Sequence, residues 1–160
     1  MEIRRVRPDE LAAVGDLTVE AYDVDGYAEH AYVERPRDTA VRDREAEVWV
    51  AVGDDGVVLG CVTYCPPGSP WREIATDDSE GEFRMLAVSP AARRRGIARQ
   101  LVQLCVDRSR ALGQPRLVLC SEKRMVNAQQ LYAAFGFVRL PDRDWSPLPG
   151  VDLLAYALDL

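Results

Sequence analysis

The chain has 160 residues, 48% of them hydrophobic, and a formal net charge of −6 at pH 7. This length suits one domain with its own core, so we expect residues 1–160 to form a single domain. An acidic chain argues against nucleic acid as a partner, and no apolar run approaches the ~18 residues of a membrane span. The N-terminus lacks the apolar segment of a signal peptide, which favours a cytoplasmic protein.

Cysteine and histidine usage argues against a metal site. The four cysteines and the single histidine show no metal-ligand spacing. Cys61, Cys105 and Cys120 lie inside apolar runs, and Cys65 ends one. Since the chain contains no CxxC pair, we expect reduced thiols and no bound metal.

The first 65 residues are predicted to alternate between strands and helices. A strand at 3–6 precedes a helix that Pro8 opens and that runs to about Tyr22. Residues 27–45 are predicted to form a second, less regular helical region. Two strands follow at 47–52 and 57–64, joined by a hairpin turn at 54–56.

The second half of the chain continues the alternation after a proline-rich loop. We predict strands at 83–88, 117–120, 137–140 and 151–158. Helices are predicted from Ile97 to Leu112, with Gly113 as the C′ residue that ends the first, and from Asn127 to Phe135. Asn127 is expected to cap its helix, with Gln130 as the capping-box partner. Residues 141–150 are predicted to be a loop.

A basic turn connects the 83–88 strand to the long helix. Residues 93–98 read Arg-Arg-Arg-Gly-Ile-Ala. The first N–H groups of a helix have no intrahelical partner, so they can donate to a phosphate, and Gly96 leaves room for its close approach. The four arginines at 93, 94, 95 and 99 add attraction for an anion. The turn lacks both the Lys-Ser/Thr pair of a P-loop and the three glycines of a dinucleotide fingerprint.

With Arg93, Gly96 and Ala98 at its defined positions, the turn resembles the pyrophosphate motif Arg/Gln-x-x-Gly-x-Gly/Ala of the GNAT superfamily of acyl-CoA-dependent N-acetyltransferases. Residues 82–90 resemble the central strand of that family, which ends in Leu-Ala-Val. Residues 127–137 resemble its second cofactor motif, which has Asn, then Leu-Tyr, then Gly-Phe. The close resemblance covers residues 80–140, and the rest of the chain agrees in element order.

The resemblance implies an α/β (α+β) GNAT fold. This fold has a mixed central sheet of about seven strands, about four flanking helices, and central strands that splay apart. Acetyl-CoA would be the cosubstrate, its pantetheine arm lying in the gap and bonded by the main chain of Leu86 and Val88. One amide there would stabilise the oxyanion. The implied cofactor-binding residues are Leu86, Ala87, Val88, Arg93, Arg94, Arg95, Gly96, Ile97, Ala98, Arg99 and Asn127.

Two proton movements accompany acetyl transfer to an amine. Tyr132 is the candidate that donates to the leaving thiolate. Helix geometry alone favours a half-buried packing role for Tyr132, and the family motif favours the catalytic one. Glu82 is the first candidate for a general base acting through water, with Glu80 close by, although desolvation of the amine would remove the need for a base. Covalent catalysis by Cys120 is the competing mechanism.

The acceptor pocket is expected where the resemblance is weakest, over residues 22–45, 65–81 and 141–150. Candidate acceptor-binding residues are Tyr22, Tyr27, His30, Trp71 and Trp145. Aromatic and acidic groups there suit a small cationic amine or a peptide N-terminus. The sequence leaves open the acceptor, the length of the acyl group, and whether the protein is a monomer or a homodimer.

The leading hypothesis is an acetyl-CoA-dependent N-acetyltransferase that moves the acetyl group directly to a primary amine in a ternary complex. The second is a non-catalytic GNAT-fold module that binds an acyl-CoA as a sensor or interaction domain. A third is a nucleotide-phosphate binder, which ATP or NAD would stabilise and free CoA would not.

Overall fold

A computed structural model of the protein describes residues 1–27 and 37–160. In these two segments eight strands form one mixed sheet, and four helices flank it. The strands are β1 (Glu2–Arg5), β2 (Glu47–Val52), β3 (Val58–Cys65), β4 (Glu80–Val88), β5 (Arg116–Glu122), β6 (Val138–Arg139), β7 (Trp145–Leu148) and β8 (Val151–Asp159). The helices are α1 (Leu11–Val24), α2 (Thr39–Glu45), α3 (Ile97–Ala111) and α4 (Val126–Phe135).

The strands lie in the order β1-β2-β3-β4-β5-β8-β6, and β7 pairs with β8. Only β4 and β5 are paired in parallel, and the other pairs are antiparallel. The predicted mixed sheet of about seven strands is therefore confirmed. The additional short strand, β7, lies within residues 141–150, which were predicted to be a loop.

Helices cover both faces of the sheet because each has one apolar stripe. Leu101, Val102 and Cys105 of α3 are buried against one face. Val14 and Leu17 of α1 are buried against the other, together with residues of β2 and β3. The sheet is thus the middle layer of the fold.

The two central strands separate soon after they meet. β4 and β5 pair only from Glu80 with Arg116 to Glu82 with Val118. Beyond this point Met85, with φ of 53°, interrupts the register between β4 and β3. A bulge of this kind bends its strand and increases the local twist. The splay expected from the family resemblance is confirmed, and it leaves main-chain groups of β4 without a partner from β5.

Several predicted boundaries are wrong. β4 begins three residues before Phe83. Helix α4 begins at Val126, with Met125 at the N-cap and no side-chain cap, so Asn127 lies inside the first turn. The predicted capping box with Gln130 is absent; instead the Gln129 amide donates to the carbonyls of Glu122 and Lys123 at 3.0 and 3.1 Å. No helix in the described residues is long and apolar enough to cross a membrane.

The carboxylate of Glu10 ties the start of α1 to strand β1. Arg4 donates to both carboxylate oxygens, at 2.8 and 2.6 Å, and the main-chain N–H of Arg7 donates at 2.8 Å. The hydrogen bonds from Arg4, opposed by partial burial, lower the pKa of Glu10 from 4.5 to about 2. A carboxylate with a lower pKa in the folded than in the unfolded state stabilises the fold above the unfolded pKa.

Glu10→Gln is therefore expected to lower the free energy of unfolding at neutral pH. The difference from the wild type should shrink as the pH falls from 4.5 towards about 2, because the wild-type carboxylate becomes protonated over that range. Urea denaturation of both proteins at neutral pH and in acid measures the difference. If the difference in the free energy of unfolding between the two proteins did not change with pH, the charge of Glu10 would not contribute to the stability of the fold.

Candidate active site

The turn before α3 presents free main-chain donors to open space. Gly96 is the N-cap residue of α3 and has a left-handed conformation, with φ of 76°. A Cβ placed there would meet no atom within 4 Å. The helical bond from the Gln100 N–H to the Gly96 carbonyl, at 3.1 Å, leaves the amides of Ile97, Ala98 and Arg99 without an intrahelical acceptor. This geometry suits a phosphate group.

The arginines of the turn divide into two groups. Arg93 donates twice to the carboxylate of Asp25, at 3.0 and 2.9 Å, and also to the carbonyl of Ala21. Its side chain is therefore committed to the end of α1, which modifies the expectation that it attracts the phosphate. Arg94 and Arg95 are exposed, and Arg99 lies over the ring of Phe135 at 5.1 Å. These three supply the local positive charge.

A cleft, here called the outer cleft, runs from this turn along the end of β4. It is lined by Leu86, Ala87 and Val88 of β4, by Arg93 and Ala98, and by Asn127 of α4. Six of the predicted cofactor-binding residues thus line a single cleft. The others, Arg94, Arg95, Gly96, Ile97 and Arg99, lie in the adjoining turn and the first turn of α3.

A second hollow, here called the inner pocket, lies in the gap between β4 and β5. Its wall includes Phe83 and Met85 of β4, Cys120 and Ser121 of β5, and Tyr132 of α4. The two hollows share five lining residues, which are Tyr22, Tyr27, Leu86, Met125 and Ala128. A ligand that extends from the basic turn along β4 would therefore reach the inner pocket.

Tyr132 lies among aromatic rings at the wall of the inner pocket. Its ring centroid is 6.0 Å from that of Phe83, 5.9 Å from that of Phe137 and 6.2 Å from that of Tyr156. Its hydroxyl group has no hydrogen-bond partner within residues 1–27 and 37–160. Burial raises the pKa of Tyr132 well above its ordinary value of 10.0, so the hydroxyl group is a proton donor at neutral pH.

The carboxylate of Glu82 is fully buried and bonded to the main chain of a loop. It accepts hydrogen bonds from the N–H groups of Glu73, Ile74 and Ala75, all between 2.9 and 3.1 Å. Burial raises the pKa of Glu82, and these N–H groups oppose the rise. The prediction that Glu82 is a general base acting through water is not supported, because both oxygens already hold the 73–75 loop in place.

Glu82→Gln is expected to lower the free energy of unfolding by about 1–3 kcal/mol, because an amide NH₂ would face main-chain donors and leave them unsatisfied. Urea denaturation measures the loss, and limited proteolysis reports on the 73–75 loop. Glu20→Gln, which changes an exposed carboxylate of α1, is the control. Equal stability of the two variants would contradict the anchoring role of Glu82.

Cys120 faces the inner pocket, as its predicted position at the gap implies. Burial raises the pKa of its thiol to about 12, and a hydrogen bond with the Trp145 side chain opposes this rise only weakly. At neutral pH the group is therefore a thiol and a poor nucleophile. The structure gives no support to covalent catalysis by Cys120.

The predicted acceptor-binding residues do not all meet at one site. Tyr22 and Tyr27 line both hollows, and the Tyr27 hydroxyl donates to the carbonyl of Arg124 at 3.0 Å. Trp71 does not line either one: it is buried, and its indole N–H donates to Glu45 at 2.9 Å. Trp145 is partly exposed beside Cys120. His30 lies outside the described residues.

Two ion pairs at the inner pocket were not predicted. Glu73 pairs with Arg84, and Glu122 of β5 pairs with Arg124. The alternation of β4 places Arg84 on the same face as Glu82, so its position could have been inferred. Glu73 belongs to an irregular loop, and no sequence pattern indicates where its side chain lies.

Comparison with known proteins agrees with this geometry. A model of the acetyltransferase (GNAT) family matches residues 11–137. The mycothiol acetyltransferase of Beutenbergia cavernae is 32% identical over 105 residues, which are 61% of this chain and 32% of that protein. The chain thus matches about a third of the length of that relative.

Solved structures share the fold at low sequence identity. A GNAT-family acetyltransferase of Staphylococcus aureus superposes with a TM-score of 0.79 at 13% identity, over 99% of this chain and 98% of that one. The yncA protein of Salmonella typhimurium, solved with its cofactor acetyl-CoA, has a TM-score of 0.72 at 22% identity over 100% and 94% of the two chains. The ribosomal-protein-alanine N-acetyltransferase of Brucella melitensis has a TM-score of 0.73 at 22% identity, over 100% of both chains.

The family model covers most of the chain, including β4, the basic turn, and α4 with Tyr132. The residues that carry the family motifs, Arg93, Gly96, Ala98 and Tyr132, all lie at the two connected hollows or in the turn beside them. The protein therefore belongs to the GNAT family of acetyltransferases.

Proposed function

We propose that the protein is an acetyl-CoA-dependent N-acetyltransferase that moves the acetyl group directly to a primary amine in a ternary complex. The observation that carries this proposal is the continuity of the outer cleft with the inner pocket, along the part of β4 that β5 does not pair with. An anion site at one end and the Tyr132 hydroxyl at the other suit a long anionic thioester. The names of the Beutenbergia and Brucella proteins, both acetyltransferases, agree with this chemistry.

The residues present fit acetyl-CoA. The free amides of Ile97 and Ala98, beside the open space at Gly96, would hold the pyrophosphate. The main chain of Leu86 and Val88, on the part of β4 that β5 does not pair with, would bond the amides of the pantetheine arm. Asn127, in the first turn of α4, lines the same cleft and would contact the cofactor.

The chemistry forms a C–N bond and breaks a C–S bond. A main-chain N–H near the bulge of β4 would stabilise the negative charge on the carbonyl oxygen. The Tyr132 hydroxyl would donate to the leaving thiolate, since its raised pKa keeps it protonated. The amine must lose a proton, and with Glu82 bonded to the main chain, desolvation in the inner pocket would favour the neutral amine.

Direct transfer predicts that Cys120→Ala keeps acetyltransferase activity within about threefold of the wild type, because a buried thiol of raised pKa takes no part in the chemistry. Steady-state rates of CoA release compare the two proteins. Mass spectrometry of the wild type after incubation with acetyl-CoA alone should find no acetyl group on Cys120. A transient acetyl-cysteine that forms and decays at the rate of turnover would establish the covalent route instead.

Screening primary amines for CoA release, with the acetylated product confirmed by mass, tests the proposed function. We expect at least one amine to be acetylated with a saturable dependence on both substrates. Saturable binding of acetyl-CoA without transfer to any amine would instead support the non-catalytic acyl-CoA-binding module.

A further inference from the structure

The carboxylate of Glu122, at the end of β5, lines the inner pocket and is nearly buried, with 6% of its side chain exposed. One of its oxygens accepts a hydrogen bond from Nε of Arg124. The other oxygen accepts none from residues 1–27 and 37–160, and it is not sealed off in the interior. A carboxylate has about four acceptor positions, so Glu122 presents unused hydrogen-bonding capacity to the pocket.

Glu122 belongs to the part of β5 that forms the gap. The last residue of β5 that pairs with β4 is Val118, four positions earlier. Side chains alternate along a strand, so Cys120 and Glu122 lie on the same face of the sheet as Val118. Cys120 also lines the pocket, and so does Tyr132 from α4. The wall of the inner pocket thus carries a proton donor, Tyr132, and an unused acceptor, Glu122.

The charged side chains around the pocket balance one another within the part of the chain that the structure describes. Glu73 and Arg84 form an ion pair in the wall itself. Behind the wall lie the buried carboxylate of Glu82 and the buried guanidinium group of Arg42, which contacts the sulfur of Met85 at 2.7 Å. The described charges are Arg42, Arg84 and Arg124 against Glu73, Glu82 and Glu122. The pocket therefore offers no excess charge to a second ionic group of the acceptor.

The rest of the described wall is largely apolar and includes Val19, Phe83, Met125, Val151 and Leu153. A further charged group on the acceptor would lose its hydration against this wall, and it would have to compete for a side chain that is already paired. An amine is different, because Glu122 has an acceptor position for its N–H. The wall thus suits an acceptor that combines one amine with an apolar body.

We propose, building on the N-acetyltransferase function above, that Glu122 binds the amine of the acceptor and takes the proton that it loses, and that the acceptor is a monoamine with an apolar, uncharged body. The amine nitrogen bonds to the acetyl carbon as the C–S bond breaks. One N–H proton passes to Glu122, and the Tyr132 proton passes to the thiolate of CoA. Exchange through solvent then returns a proton from Glu122 to the Tyr132 phenolate. This narrows the expected small cationic amine to one without a second charge.

Desolvation and Glu122 act together in the proton loss. A carboxylate is a weaker base than an amine, but an apolar wall lowers the pKa of a bound ammonium group because it destabilises the charged form. The hydrogen bond from Arg124 favours the charged form of Glu122 and holds it at the wall. Glu122 then accepts a proton that the pocket already disfavours on the amine. Glu82 is not needed for this step, in agreement with its bonds to the main chain.

Glu122→Gln keeps the size of the side chain and cannot take a proton. We expect it to lower kcat/KM for 2-phenylethylamine about a hundredfold, while the Kd for acetyl-CoA stays within about twofold of the wild type. Glu47→Gln is the matched control, because Glu47 is also a buried strand carboxylate paired with an arginine, Arg108, and it lines neither hollow. This control should retain wild-type kcat/KM. Rates of CoA release and calorimetric titrations with acetyl-CoA provide the measurements.

Matched pairs of amines test the acceptor class in the wild type. Phenylalanine is 2-phenylethylamine with an added carboxylate, and 1,5-diaminopentane is pentylamine with a second amine. We expect kcat/KM to be lower by about tenfold or more for phenylalanine and for the diamine than for their uncharged-body partners, because the added charge finds no unpaired partner in the described wall.

An unchanged kcat/KM in a folded Glu122→Gln variant, or an equal loss in Glu47→Gln, would overturn the inference, and so would a preference for phenylalanine or for the diamine. If Glu122→Gln does not fold, the wild-type ranking of the four amines alone decides. Transfer to other amines with neither 2-phenylethylamine nor pentylamine accepted would refute only this inference. Binding of acetyl-CoA with no transfer to any amine in a broad screen would refute the N-acetyltransferase function itself.

Discussion

Gly96→Glu is expected to abolish the thermal stabilisation that acetyl-CoA gives the wild-type protein. A ligand at a hundred times its Kd stabilises a fold by about 2.7 kcal/mol, which for a protein of this size raises Tm by roughly 5–10 °C. The space beside Gly96 is open, so the new side chain would occupy the anion site and bring a negative charge to it. Differential scanning fluorimetry with and without acetyl-CoA measures the change.

Gly113→Glu is the matched control for this variant. Gly113, just beyond the C-terminus of α3, also has a left-handed φ, of 70°, and open space where a Cβ would lie. Both variants therefore carry the same backbone strain and the same new charge. The Gly113 variant should retain the full shift in Tm on adding acetyl-CoA. Loss of the shift in both variants, or in neither, would contradict a pyrophosphate site at Gly96.

Tyr132→Phe is expected to lower kcat about a hundredfold while leaving the affinity for acetyl-CoA within about twofold. Positioned proton donors contribute factors of this size, and only the hydroxyl group is lost. The ring contacts with Phe83 and Phe137 remain, so the fold should be unaffected. Rates of CoA release and acetyl-CoA titrations of the two proteins provide the measurements.

Tyr156→Phe removes a hydroxyl from the same aromatic cluster, at a position that lines neither hollow, and should retain wild-type kcat. If Tyr132→Phe turned over at the wild-type rate, Tyr132 would not be the proton donor. If the wild type bound acetyl-CoA but acetylated no amine, and if Tyr132→Phe and Tyr156→Phe bound acetyl-CoA with the affinity of the wild type, the protein would be a binding module.

The sequence predicts the strand, turn and helix around the proposed cofactor site well, because local patterns determine these elements. The apolar run of β4, the arginine-glycine turn and the periodicity of α3 each reflect contacts between neighbouring residues. The gap between β4 and β5 was expected from the family resemblance, and the structure adds the physical cause: pairing stops after Glu82, and Met85 forms a bulge. Tyr132 lies where the resemblance implied, at the end of that gap.

The surroundings of the inner pocket, where the acceptor is proposed to bind, could not be predicted in the same way because they depend on contacts between distant segments. Glu82 was the first candidate for a base because the family resemblance places an acidic residue near the start of the central strand. Its hydrogen bonds depend instead on the loop at 73–75, whose main chain covers it. The pairing of Arg93 with Asp25 joins residues 68 positions apart in the sequence. Arg42 looks in the sequence like an ordinary surface residue of a charged helix, and only packing against Met85 shows it to be buried.

The central claim is that the Gly96 turn and the open end of β4 bind acetyl-CoA. Isothermal titration calorimetry of the folded, ligand-free protein with acetyl-CoA and with free CoA tests it most directly. The account predicts saturable heat for both ligands, with one site per chain. No saturable heat for either ligand, or binding of ATP or NAD in their place, would contradict it.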